Sequence, residues 1–148
     1  PGQLVVYPLI DLRRRSLGVR ALVVALENAV IDYAAELGVS AAGSREAPGV
    51  YIGGAKLASV GLRIRRGASY HGMALNVSLD LAPFDRINVC GHPGLGVTRL
   101  ADHAAGFADP GTGVQRAAAG LLPHLLRRLK FGAHHKAITT ALQAVNSR

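Results

Sequence analysis

Apolar residues crowd the first stretch of the chain, Gln3–Leu12, where Leu4, Val5, Val6, Leu9 and Ile10 predict a buried strand. The spacing then changes. Between Leu17 and Leu37, Val19, Leu22, Val23, Leu26, Val30, Ile31 and Ala34 recur at helical intervals, with Ser16 as the expected N-cap and Gly38 as the stop. Ser40–Gly49 carries Gly, Ser and Pro and reads as a loop. Short strands are predicted at Val50–Ile52, Lys56–Arg65 and Tyr70–Leu79, the last two joined by a hairpin around Arg66–Ala68.

Asp80–Gly96 is irregular, punctuated by Pro83, Gly91, Pro93 and Gly94. Thr112–Phe131 predicts a helix with a stripe of Leu121, Leu122, Leu125, Leu126 and Leu129, and Pro123 is expected to kink or delay it. Ala133–Val145 is weakly helical. Strands in the middle and helices on the flanks define an α+β pattern, read as one domain over residues 1–148.

The strand at Lys56–Arg65 raises a chemical question. Strict alternation puts Lys56 with Ala58, Val60, Leu62 and Ile64, and puts Leu57 with Ser59, Gly61, Arg63 and Arg65. A lysine then opens the apolar face, where a charged amine is costly unless it reaches a polar pocket or loses its proton. Pattern alone leaves a snorkelling lysine equally open. His71 poses the same question: it alternates with Met73, Leu75 and Val77, which favours a satisfied core histidine. Gly72 and Ala74 on the other face leave room for a ligand to approach the backbone.

Composition narrows the partners. The chain is 49% hydrophobic, so a folded core is expected, and it has no run long enough to span a membrane. Its formal net charge of +8 suits an acidic partner: nucleic acid, an anionic membrane surface or an acidic protein. The basic residues lie in short groups, Arg13–Arg15, Arg63, Arg65, Arg66 and Arg127–Lys130, without a long basic arm. There is no Trp to stack on bases. The single cysteine, Cys90, excludes an internal disulfide framework, and a reducing cytoplasm is the simplest location. Cys90 precedes Gly91 and His92 in a glycine-rich segment. A nearby Lys56, His71 or His92 would favour its thiolate. Neither a zinc signature nor a phosphate-binding glycine motif is present, so no metal or nucleotide cofactor is expected.

Three segments in order, PGQLVVYPLIDLRR, GAKLASVGLRIRRGASYHGMALNV and LAPFDRINVCGHPGLGVT, resemble the octanoyltransferases of lipoate biosynthesis across Pro1–Leu100. The resemblance implies a biotin/lipoate protein ligase-like mixed sheet flanked by helices. It implies transfer of an octanoyl group from octanoyl-acyl carrier protein to a lysine on lipoyl domains of 2-oxoacid dehydrogenases or on the glycine-cleavage H protein. Cys90 corresponds to the cysteine that carries the acyl thioester, and Lys56 to the lysine beside it. Ser59, Val60 and Gly61, with His71, Gly72, Met73 and Ala74, correspond to the acyl pocket. The activated donor removes any need for a cofactor, and an acidic carrier suits the positive charge, with neither nucleic acid nor membrane as partner. Two departures stand out: Val89 replaces the family's proline, and the RGGxxTYHG motif that precedes PGQ in the family lies upstream of Pro1. The chain therefore reads as a domain lacking its N-terminal part. An impaired scaffold that binds the same partners and an ATP-dependent lipoate or biotin ligase relative are the alternatives.

Overall fold

The computed structural model describes residues 1–44, 47–86 and 94–130. Five strands form one sheet in the order β1-β5-β4-β3-β2: β1 (Gln3–Val6), β2 (Ala42–Gly43), β3 (Gly49–Ile52), β4 (Ala55–Arg65) and β5 (Ala68–Asn76). Every named pair is antiparallel, and the parallel element is an isolated bridge between Lys56 and Val97. Helices α1 (Val19–Glu36) and α2 (Pro110–Arg128) pack against one another and against the sheet, giving the α+β architecture expected from the sequence.

The core lies between the helices and one face of the sheet. Cross-strand neighbours Leu4, Leu75, Ala58 and Val50 form a row on that face. They join Leu22, Leu26 and Val30 of α1 and Ala117 and Leu121 of α2 in a single buried cluster. Each large aliphatic side chain removed from water there contributes about 1.5–3 kcal/mol before entropy is counted.

Local chemistry sets the element ends. β1 is shorter than its apolar run because Pro8 lacks the N–H a ladder needs, although Asp11 still bridges Ala68. Ser16 is not the cap of α1; it adopts φ 50°, and the helix begins after Gly18 without a side-chain cap. Gly38 does end that helix, its N–H donating to Ala35 O and that of Val39 to Ala34 O, a paired C-terminal closure. The stretch read as a loop, Ser40–Gly49, contains β2, too short for periodicity to reveal. β5 stops at Asn76, before the predicted end.

α2 starts two residues before the predicted Thr112. Pro110 occupies its first turn, and the Asp109 carboxylate accepts from the Thr112 N–H at 2.7 Å. Pro123 does not break α2. It is exposed, as is Ala119 one turn earlier, so the carbonyl that loses its partner faces water. The weak helix predicted at Ala133–Val145 lies outside the described residues.

An ionic clamp closes the two helices. Arg128 donates to Asp32 through Nε at 2.6 Å and Nη2 at 2.7 Å, and Arg127 donates at 3.1 Å. The hydrogen bonds from Arg128, against the opposing effect of burial and with help from Arg127, lower the Asp32 pKa from 3.8 to about 2. Since the folded pKa lies below the unfolded one, this stabilisation is complete above about pH 4 and disappears as pH falls through about 2. Asp32→Asn should cost about 1–2 kcal/mol at pH 7, the upper part of that range reduced by solvent screening of the arginines. Urea unfolding of the two proteins should converge as the pH approaches 2.

Candidate active site

The site begins with a miscount. Between β3 and β4, Val50 pairs with Ala58 but the next residue, Tyr51, pairs with Lys56. Leu57 is therefore surplus, a β-bulge, and bulges reverse which side of the sheet the following residues face. Lys56 consequently shares a face with Tyr51 rather than with Ala58, correcting the strict alternation expected from the sequence. Leu57 is fully buried and belongs to the core cluster, the place alternation had given to Lys56. The Lys56 ammonium position is confirmed by its neighbour: Nζ lies 5.4 Å from the Tyr51 ring centroid, in cation–π range.

Lys56 is 1% exposed, so of the two readings the pattern left open, buried and snorkelling, the structure takes the buried one, on the other face. Its backbone is held on both sides. The Lys56 N–H donates to Gly96 O at 2.8 Å, and the Thr98 N–H donates to Lys56 O at 3.0 Å. Asn76 Nδ2 donates to Thr98 O at 3.0 Å and to Lys56 O at 3.5 Å, while its Oδ1 accepts from Gln3 Nε2 at 3.0 Å. Beneath the lysine stem, Gly49 sits at φ 148°, its N–H donating to the buried Glu27 carboxylate at 2.7 Å. A Cβ at Gly49 would collide with the Ala58 carbonyl oxygen and come within 3.2 Å of Lys56 Cε. Only glycine lets the two strands and the lysine stem share that space.

Beyond Lys56, the same face opens into a shallow trough of about 190 Å³. Ser59 and Gly61 of β4 face Ala74 and Gly72 of β5, Val5 and Tyr7 form one wall, and His71 and Met73 complete the lining. Six of the seven residues expected to form an acyl pocket, Ser59, Gly61, His71, Gly72, Met73 and Ala74, meet here. The seventh, Val60, packs against the core instead, because it pairs with Met73 on the helix side. His71 is not a core histidine. It takes φ 67°, which breaks the alternation, and its exposed ring lies 5.1 Å from that of Tyr70 and 6.1 Å from that of Tyr7. A larger cavity of about 690 Å³, beside α1 and lined by Val19, Arg20 and Pro48, contains none of the expected residues.

Cys90 lies outside the described residues. Sequence reasoning missed Tyr51, Asn76 and Thr98, whose Oγ1 is 2.7 Å from His103 Nε2. Asn76 did leave a signal: a polar residue directly between Leu75 and Val77 in an apolar strand needs buried partners. Among the described residues, no group of three His, Cys, Asp or Glu side chains could hold a metal ion.

An antiparallel sheet with helices on one face defines a fold also found in biotin and lipoate ligases. The chain superimposes on biotin protein ligase from Aquifex aeolicus with a TM-score of 0.67 at 17% identity, covering 87% of this chain and 53% of that one. It superimposes on a bi-partite lipoate protein ligase from Thermoplasma acidophilum with a TM-score of 0.64 at 17% identity, covering 87% and 52%. The likeness at this identity concerns the fold. Residues 1–120 match the lipoyl protein ligase A/B catalytic domain, and the chain belongs to that family. It is 57% identical over 129 residues to an octanoyltransferase from Chromohalobacter salexigens, covering 87% of this chain and 57% of the relative. It is 63% identical over 102 residues to one from Alkalilimnicola ehrlichii, covering 69% and 47%. The chain thus spans about half the length of these curated relatives.

The two glycines of the trough should respond oppositely to substitution. A Cβ at Gly72 would strike the Val6 carbonyl oxygen and Pro8, whereas one at Gly61 would meet no atom within 4 Å. Gly72→Ala should destabilise the fold by about 1–3 kcal/mol in urea unfolding. Gly61→Leu should fill the trough while changing stability by no more than about 0.5 kcal/mol.

Proposed function

We propose that the protein transfers an octanoyl group from octanoyl-acyl carrier protein to a lysine of lipoyl domains, those of 2-oxoacid dehydrogenases and of the glycine-cleavage H protein. The observation that carries this reading is the re-aimed Lys56, which the bulge sets on the trough face with its backbone fastened to residues 96–98. The chain leaving Cys90 re-enters the described structure at Gly94 and reaches Lys56 at Gly96, which supports a partnership between thiol and amine. The octanoyltransferase relatives support the same acyl group.

The chemistry follows from those two groups. Lys56 accepts the Cys90 proton, and the thiolate attacks the donor's thioester carbonyl. A new C–S bond forms at Cys90, the donor C–S bond breaks, and the departing carrier thiolate takes the proton back from Lys56. The acceptor lysine then attacks the acyl-enzyme as a free amine. Its N–C bond forms, the Cys90 C–S bond breaks, and Lys56 takes the amine's proton, restoring the thiolate–ammonium pair. The octanoyl tail lies in the trough over Ser59, Gly61, Gly72 and Ala74 and the Met73 backbone, with His71 at its side. The donor is already activated, so the reaction draws on no cofactor. A free thiol nucleophile implies a reducing compartment and hence a cytoplasmic location.

Intact-protein mass spectrometry after mixing with octanoyl-acyl carrier protein should show a single octanoyl adduct, released by hydroxylamine and missing in Cys90→Ala. Gly61→Leu should lose the adduct while remaining folded. Lys56→Ala should slow acylation by about 10²–10⁴-fold and raise the pH at which Cys90 is alkylated. An alkylation profile that does not move in Lys56→Ala would break the proposed pairing. Acylation that required octanoate and ATP instead of a thioester would replace transfer with ligation.

A further inference from the structure

Two arginine groups far apart in the sequence meet at the far end of the trough face. The Leu12 N–H donates to Gly67 O at 2.9 Å, Asp11 bridges Ala68, and the Arg13 side chain lies across Gly67. The Arg13–Arg14 turn is thereby fixed against the β4–β5 hairpin that carries Arg63, Arg65 and Arg66. All five side chains are exposed. Among the described residues, the ion pairs are made by Arg99, Arg127, Arg128 and His124, and none by these five. Asp11 lies among them, its Oδ1 accepting the Arg14 backbone N–H at 3.0 Å.

Alternation past the bulge places Arg63 and Arg65 on the face of Ser59 and Gly61, in line with the trough. Apolar surface accompanies them: Leu9 is 76% exposed and Tyr7 62%. Leu9 is anchored beside the hairpin, because Ser69 Oγ donates to Pro8 O at 2.7 Å and the Ser69 N–H donates to Ile10 O at 2.8 Å. Guanidinium groups around an apolar centre match the anatomy of a protein interface more closely than that of a phosphate-binding groove.

We infer that this surface docks an acidic carrier domain that presents its acyl group as a thioester on a long flexible tether. The inference rests on the acyl-transfer reading above. Distance selects the donor over the acceptor. Arg63 is seven residues from Lys56 along β4, roughly 23 Å at the rise of a strand. A long tether spans that interval, whereas a lysine on the surface of a folded acceptor has only its four-carbon stem.

The test compares the full chain with an Arg63→Glu/Arg65→Glu variant, using octanoyl-acyl carrier protein and octanoyl-pantetheine, which offers the same thioester without a protein. With the carrier, kcat/KM should fall by about tenfold or more, through KM, and lose most of its salt dependence. With octanoyl-pantetheine it should stay within about twofold. Arg14→Glu, at the second group, should shift the carrier rate in the same direction. Equal losses with both donors, or an undiminished carrier rate, would overturn the inference. So would a variant that is acylated normally but fails to pass the group to a lipoyl domain, or one that loses only duplex-oligonucleotide binding. If the unaltered chain accepts neither donor, the transfer reading fails, and carrier binding by fluorescence anisotropy decides the surface: salt-sensitive binding lost in the double variant supports it, and no binding overturns it.

Discussion

One surplus residue in β4 decides what each face of the sheet can do. Leu57 has no partner on β3, and its insertion sends Lys56 to the open side while Leu57 joins the core. A regular strand would have driven the lysine among Leu22, Leu26 and Val30, where an amine has no solvation to replace that of water. The bulge removes that conflict, and on the other side of β4 the pairing with β5 stops at Ala58. Residues 96–98 fill the gap with two hydrogen bonds, and the Asn76 amide spans both chains. The polar frame thus continues the sheet where β5 leaves off, and it fixes the backbone that carries the lysine.

The division of charge follows from the same two-sided plan. On the helix side, Asp32 and Glu36 engage Arg127, Arg128 and His124, joining α1 to α2 across the back of the core. Those carboxylates are committed there. On the trough side, Arg13, Arg14, Arg63, Arg65 and Arg66 make none of the ion pairs among the described residues, which leaves a local positive field at that end of the open face.

Much of this was legible in the sequence. The 3.6-residue period of α1, the leucine stripe of α2 and the alternation of β5 are long enough to stand above noise, and the small residues Gly72 and Ala74, read as leaving room beside the backbone, do line an open trough. What escaped has definite causes. A bulge is a pairing fact, visible only once β3 lies beside β4, so Lys56 was read onto the wrong face. The positive φ of His71 is likewise an outcome of cross-strand geometry, whereas alternation had already set Val60 on the apolar face. Pro123 does not delay α2, because the cost of an internal proline depends on whether the freed carbonyl meets water, which is a property of position and not of residue type. Tyr51, Asn76 and Thr98 converge from separate segments, and no spacing along one chain encodes such a meeting.

The floor of the trough is built largely from residues with little or no side chain. Gly61, Gly72, Ala74 and Ser59 have few or no rotamers to freeze, so an apolar guest meets a floor whose shape is already set. Association there loses little protein entropy. The same rigidity removes the adaptability that a methionine- or leucine-lined cavity would offer, since a backbone cannot swing aside for a branched or bulky guest. On the proposed reading such a surface would act as a gauge, admitting a slender unbranched chain by its thickness, with that selectivity set by the sheet itself.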